Sequence, residues 1–368
     1  MRFKNPIDRR TFLAGAGASL LLNLPEASYA NLMNADLVFA SAVRYKSRTF
    51  GIILFNEFGK KILELPLPNR GHSVVFNPTK DQGIAFSRRP GTFALVFSLS
   101  NQHSPFQISA PPARHYYGHG AFSQDGKLLY ASENDFENAR GAIGIYDSTN
   151  QFNRIGEFSS YGIGPHEIRM HPSKDILIVA NGGIETHPEF GRAKLNLPTM
   201  EPSLVFLDLS TGDLVEKHKL SASNKLSIRH LDVSKNGEVV FGCQYEGPET
   251  DRPSLLGSCV IGEEIGLWGS DNQRFELPSN YVGSVCLNDD GDTVMATLPK
   301  GDSIALFSAK QRKLKTILPS DSAFGVSQNK RGFVTTSESG IFRALSERKS
   351  WAFQGVQFDN HISRIEAV

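Results

Sequence analysis

Several features that would place this chain in a special class are missing. It has three cysteines in 368 residues and neither CxxC nor CxxCH, so zinc-knuckle and covalent-haem patterns are absent. Three thiols allow at most one internal disulfide, and Cys243 and Cys286 fall in strand-like runs, where they read as small buried apolar residues. Charge of neither sign dominates: 39 Lys+Arg stand against 38 Asp+Glu. That balance removes the electrostatic basis for expecting nucleic acid or an anionic membrane as a partner. No apolar run reaches the length of a membrane span, so no membrane anchor is expected. No nucleophile motif of the Ser/His/Asp kind is present, and no segment requires a helix.

What the chain does have is turn residues, 33 Gly and 19 Pro, which suit many short strands. One pattern recurs along it. Gly118-His119-Gly120-Ala121-Phe122 precedes a turn at Ser123-Gln124-Asp125-Gly126, then a second apolar run from Leu128, the signature of a hairpin. Copies begin at His72, His166 and His230; two copies without histidine begin near Ser284 and Gly325; a half-copy, Asn360-His361-Ile362, ends the chain. Most starts are about 40 to 65 residues apart, the period of a four-stranded propeller blade. Strand-like runs from Leu37, Thr49 and Lys61 supply strands two to four of one blade, and Ile362-Ser363-Arg364-Ile365 supplies its first. The expected fold is therefore all-β, a seven-bladed propeller closed by the C-terminal strand joining the N-terminal blade.

Residues 1–30 read as a twin-arginine signal peptide, with Arg9-Arg10-Thr11-Phe12-Leu13, a Gly/Ala-rich apolar core and Ser28-Tyr29-Ala30. The expected product is a periplasmic monomer spanning 31–368. Twin-arginine export carries folded proteins, often with a metal or prosthetic group already inserted.

In a propeller, first strands start beside the central channel. His72, His119, His166, His230 and His361 are therefore expected to converge on one funnel as ligands of a transition metal, since imidazole suits iron, copper and zinc alike. Second-strand ends return to the same face, where Arg88-Arg89, Glu133, Asn134, Asn181, Gln244 and Glu338 would form a second ring. With Glu167 and Arg229, four of these (Glu133, Asn134, Asn181 and Gln244) are the expected additional ligands or supports of the histidines. The long connection after Asn181, carrying His187, Arg192 and Met200, reads as a lid. A lone blade-initial histidine is more often an inter-blade strut than a ligand; five of ten histidines at one repeat phase favour the ligand reading. The offsets differ, however: His72 and His166 stand four residues before Phe76 and Met170, whereas His119 and His230 stand three before Phe122 and Val233. His115, His171, His187 and His218 fall off the phase and read as surface residues. Metal binding is expected to weaken as pH falls through about 6.5, where free imidazole protonates.

Gly118-His119-Gly120, Gly164-Pro165-His166-Glu167, Asn181-Gly182-Gly183-Ile184 and Ile228-Arg229-His230-Leu231 resemble a bacterial family of unknown-function periplasmic proteins. Its members carry twin-arginine signals and are encoded beside imelysin-like lipoproteins and di-haem oxidoreductases in iron-responsive clusters. The resemblance implies an accessory role in iron supply, with iron preferred over copper or zinc and imelysin-like proteins as partners; it supplies no activity and no catalytic residue. Two other functions remain open: a propeller enzyme, oxidoreductase or metal-assisted hydrolase, using the same funnel, and a metal-free protein-interaction scaffold.

Overall fold

In the computed structural model, which describes residues 28, 31–32, 34–99, 103–220, 225–269 and 275–365, seven antiparallel sheets are arranged as the blades of a propeller. Arg9, Arg10 and the apolar core of the expected signal lie outside the described residues. Among the described residues no helix is long and apolar enough to cross a membrane.

Blade three shows the local logic. Its strands are Arg114–Phe122, Leu128–Asp135, Arg140–Asp147 and Asn153–Ser159, ordered from the axis outward. The first hairpin turns at Gly126, whose φ of +69° is left-handed, with Asp125 Oδ1 accepting from Ser123 Oγ and the Lys127 amide. Middle strands are buried along nearly their whole length, as Ile176–Asn181 is in blade four, because each sheet is covered by a blade on both faces. Outermost strands such as Lys313–Pro319 are mostly exposed.

The ring closes in blade one, where Val38–Tyr45 pairs with two short C-terminal strands, Val356–Phe358 and Ser363–Ile365. The expected closing strand thus arrives in two pieces, and the residues between them, 359–362, leave the ladder beside the axis. Phe39, Phe55 and Phe342 pack across the seam with blade seven, centroids 4.9 to 5.9 Å apart. Each buried phenyl stabilises the closure by roughly 1.5–3 kcal/mol. Cys243, Cys259 and Cys286 are all free and buried.

Candidate metal centre

Each histidine-bearing innermost strand departs from regular pairing at or beside its histidine. The ladder with the second strand shifts between Gly71 and Val74, between Tyr116 and Gly120, between Pro165 and Glu167, and between Ile228 and His230. In blade one the interruption is the gap at 359–362 that contains His361. Bulges re-aim side chains, and these absorb the unequal offsets seen in the sequence.

The five imidazoles meet at the axis. Successive ring centroids are separated by 4.6 Å (His361 to His72), 4.9 Å (His72 to His119), 5.3 Å (His119 to His166), 4.8 Å (His166 to His230) and 4.9 Å (His230 to His361). His119 also lies 4.6 Å from His361. His72, His119, His230 and His361 are buried and His166 is half-buried. Gly118 makes room for this packing: its φ is +104°, and a Cβ there would meet His72 Cδ2 at 2.5 Å.

Carboxylates orient two of the rings. His72 Nδ1 donates to Asp359 Oδ1 at 2.9 Å, and His230 Nδ1 to Glu167 Oε2 at 3.2 Å. A carboxylate only accepts, so each contact places the proton on Nδ1 and leaves the Nε2 lone pair free. Burial works to raise the Asp359 pKa, but the His72 hydrogen bond and the Arg88 and Arg70 guanidiniums hold it well below the usual carboxylate range. Glu167 is likewise kept low, against burial, by Arg169 and His230.

The imidazoles stay neutral. Burial, only partly opposed by Asp359, pushes His72 down to about 4. Burial, and then the cost of charging one imidazole beside the others, push His119, His166 and His361 well down, and His230 is lowered chiefly by burial. Neutral imidazole is the metal-binding form. Two three-nitrogen sets result, His72/His119/His361 and His119/His166/His230, each with its ligand atoms within 4.8 Å of one another. That is close to the spacing allowed by metal–nitrogen bonds of about 2.1 Å. His119 Nε2, His166 Nδ1, His230 Nε2 and His361 Nε2 are buried without a hydrogen-bond partner, so the donor set fits a first-row transition metal.

A cavity of about 690 Å³ opens on one side of the cluster, with His72 and His166 in its lining, and every blade contributes to its wall. A cavity of about 40 Å³ lies against His119, His361 and Glu167.

Several sequence expectations land elsewhere. Glu133 is fully buried within blade three, hydrogen-bonded to Tyr146 Oη at 2.7 Å and paired with Arg154 and Arg114 at 2.9 and 3.2 Å; it touches none of the five histidines. Asn134 donates to Thr186 O and His115 Nε2, both at 3.0 Å, one layer behind the cavity wall. Asn181 donates to Ser160 O at 2.9 Å and does not line the cavity. Arg229 and Gln244 do line it, as do His187 and Arg192 of the lid. Met200 is buried, 1% exposed, and is absent from the lining, because the lid folds back after two short 3-10 turns, Pro188–Phe190 and Leu197–Thr199. His115 and His171 are buried rather than on the surface: His115 lines the cavity, and His171 Nδ1 accepts from the Ser173 and Lys174 amides in a turn.

Residues of the site that the sequence pattern did not flag include Asp359 and Tyr281. Asp359 is separated from its partner His72 by 287 residues, and Tyr281 reaches the cavity from a segment without repeat phase. The position of Asp359, two residues before the last phased histidine, was the only available signal for either.

A family model described as "Protein of unknown function (DUF1513)" matches residues 65–365. No curated protein sequence matches the chain. Among solved structures, Kuenenia stuttgartiensis hydrazine synthase is similar with a TM-score of 0.59 at 12% identity, over 83% of this chain and 90% of that one. At that identity the likeness concerns the fold alone.

Proposed function

The chain belongs to this family of proteins of unknown function, and we propose that it is a metal-binding propeller whose five axial histidines hold a transition metal. The observation that supports this is the four buried imidazole nitrogens left without partners. An unsatisfied buried polar group costs about 1–3 kcal/mol; His72 and His230 each bond an acid of the neighbouring blade through Nδ1, but a strut role gives these four nitrogens nothing to do. Iron is preferred, on the resemblance to an iron-responsive family; copper and zinc suit the same donors. The protein acts in the periplasm as an accessory in metal acquisition, exported by the twin-arginine route and working with imelysin-like proteins.

The test is elemental analysis of protein exported by its own signal, beside the same protein carrying His119→Ala. Bound metal in the first and little in the second is the expected result. Protein that carries no metal and takes up none in competition with a chelator would sink the reading. The size of the cavity favours a second reading, an enzyme acting on a small molecule in the same funnel. Turnover by metal-loaded protein, lost in the His119 variant, separates enzyme from carrier.

A further inference from the structure

The large cavity concentrates positive charge beyond what its own acids neutralise. Arg70 and Arg88 converge on Asp359, at 2.6 and 3.1 Å. Lys194 and Arg229 converge on Glu246. Arg89, Arg192 and Lys300 remain, and these three make no ion pair among the described residues. Lys300 Nζ stands over the Tyr281 ring, 5.9 Å from its centroid. Among the described residues, Glu338 is the one acid in the lining itself.

Like charges crowd one another here. Burial, then Arg229 and Arg88, push the Arg89 guanidinium below its usual value. Burial, then Arg88, Arg89 and Arg70, do the same to Arg192. A concave wall of low polarisability focuses such a field toward a ligand of opposite sign. Balanced charge over the whole chain, net +1, shows that the excess is local. The guanidinium forks match carboxylate oxygens in pairs, while Tyr117, Tyr281 and Gln244 add neutral donors to the same lining.

We propose that this cavity binds a small polycarboxylate, held by Arg89, Arg192 and Lys300 next to His72 and His166. A volume of about 690 Å³ is within the range of small-molecule sites. The anion arrives either free or as the carboxylate shell of a metal chelate. The proposal rests on the metal reading only for that second source.

Calorimetric titration of metal-free protein with citrate, oxalate and inorganic phosphate, at low and at physiological salt, tests the site. Citrate is expected to bind wild type, more weakly as salt rises. The double variant Arg89→Gln/Arg192→Gln should lose about tenfold or more in citrate affinity while keeping its melting temperature and its zinc uptake. Absence of carboxylate binding to wild type, equal binding by the double variant, or preference for phosphate over citrate each overturns the proposal. Repeating the titration on zinc-loaded protein distinguishes the sources: unchanged citrate affinity indicates the free anion, and tighter binding indicates a chelate. Citrate binding without zinc uptake would sink the metal reading and leave this one; zinc uptake without citrate binding would do the reverse.

Discussion

Blades one to five each place a histidine at the axis; blades six and seven place none, yet all seven close the same ring. In blade six the innermost strand, Ser284–Leu287, pairs regularly with Thr293–Leu298. In blade seven the ladder shifts between Ala323 and Gly325, but the residue there is Phe324, which lines the large cavity. Blade six packs on blade five through Phe307, Trp268 and Phe275, centroids 5.7 to 5.9 Å apart. Apolar burial therefore joins blades five and six without an axial histidine, so blade joining by itself does not call for an imidazole at the axis.

The largest effect that would break this comparison is on closure. Deleting residues from Val356 onward removes both short strands that pair with Val38–Tyr45 and should abolish cooperative thermal unfolding. Deletion from Asn360 leaves Val356–Phe358 in place and should lower the melting temperature without abolishing the transition. A truncated protein that melts like the full chain would refute the closure scheme.

Next comes the cluster itself. His119→Ala removes a ligand from both three-histidine sets and should lose most metal binding, roughly a hundredfold or more, whereas His230→Ala, 111 residues away in sequence, leaves His72/His119/His361 complete and should lose less, with the double variant little worse than His119→Ala. Stability should fall by no more than about 1–3 kcal/mol, the size of a cavity left by one side chain. Retained metal with a large loss of stability would make the histidines struts after all.

Acid sharpens the contrast, because the imidazoles of blades one to five titrate and blades six and seven have none. The His72 pKa is about 4 when folded and about 6.5 when unfolded. Between these values the unfolded chain binds the proton first, so metal-free stability falls as pH drops from about 6.5 to about 4, by an amount on the order of 3 kcal/mol for this residue, then levels off. Asp359, held low, adds a further loss that begins as pH falls through the usual carboxylate range and continues below it. Metal binding should accordingly survive below pH 6.5, contrary to the expectation from free imidazole. Denaturant midpoints and metal content across pH check both.

Smaller effects test the supports. Glu167→Gln keeps the shape but loses the anionic partner of His230, and should weaken metal binding by about 10–100-fold. Gly118→Ala removes no ligand, but its Cβ would press on His72; about a tenfold loss of affinity is expected, measured by chelator competition, with no such loss for Gly262→Ala, where a Cβ meets nothing within 4 Å.

Much of this was legible in the chain because a blade repeats. The Gly-His start of blade three and its Asp-Gly turn recur in varied form, so the count of blades and the common phase of five histidines could be read from local pattern. Position on the second strand was legible too, which located Arg88, Arg89 and Gln244 at the cavity. It failed for Glu133, because strand alternation turns that side chain into the blade, where Arg114 and Arg154 neutralise it. Met200 failed for a related reason: a long loop can fold back on its own blade and bury its end.

The sequence by itself determined how many sheets form and which side chains start beside the axis, since hydrophobic alternation, turn residues and repeat spacing act over a few residues. Only the tertiary structure decided which nitrogens face one another. His230 and His361 come within 4.9 Å across the axis, and Asp359 reaches His72, because closure brings distant strands together. The bulges that aim each ring, and the cations gathered from several blades around one cavity, exist only once the ring is shut.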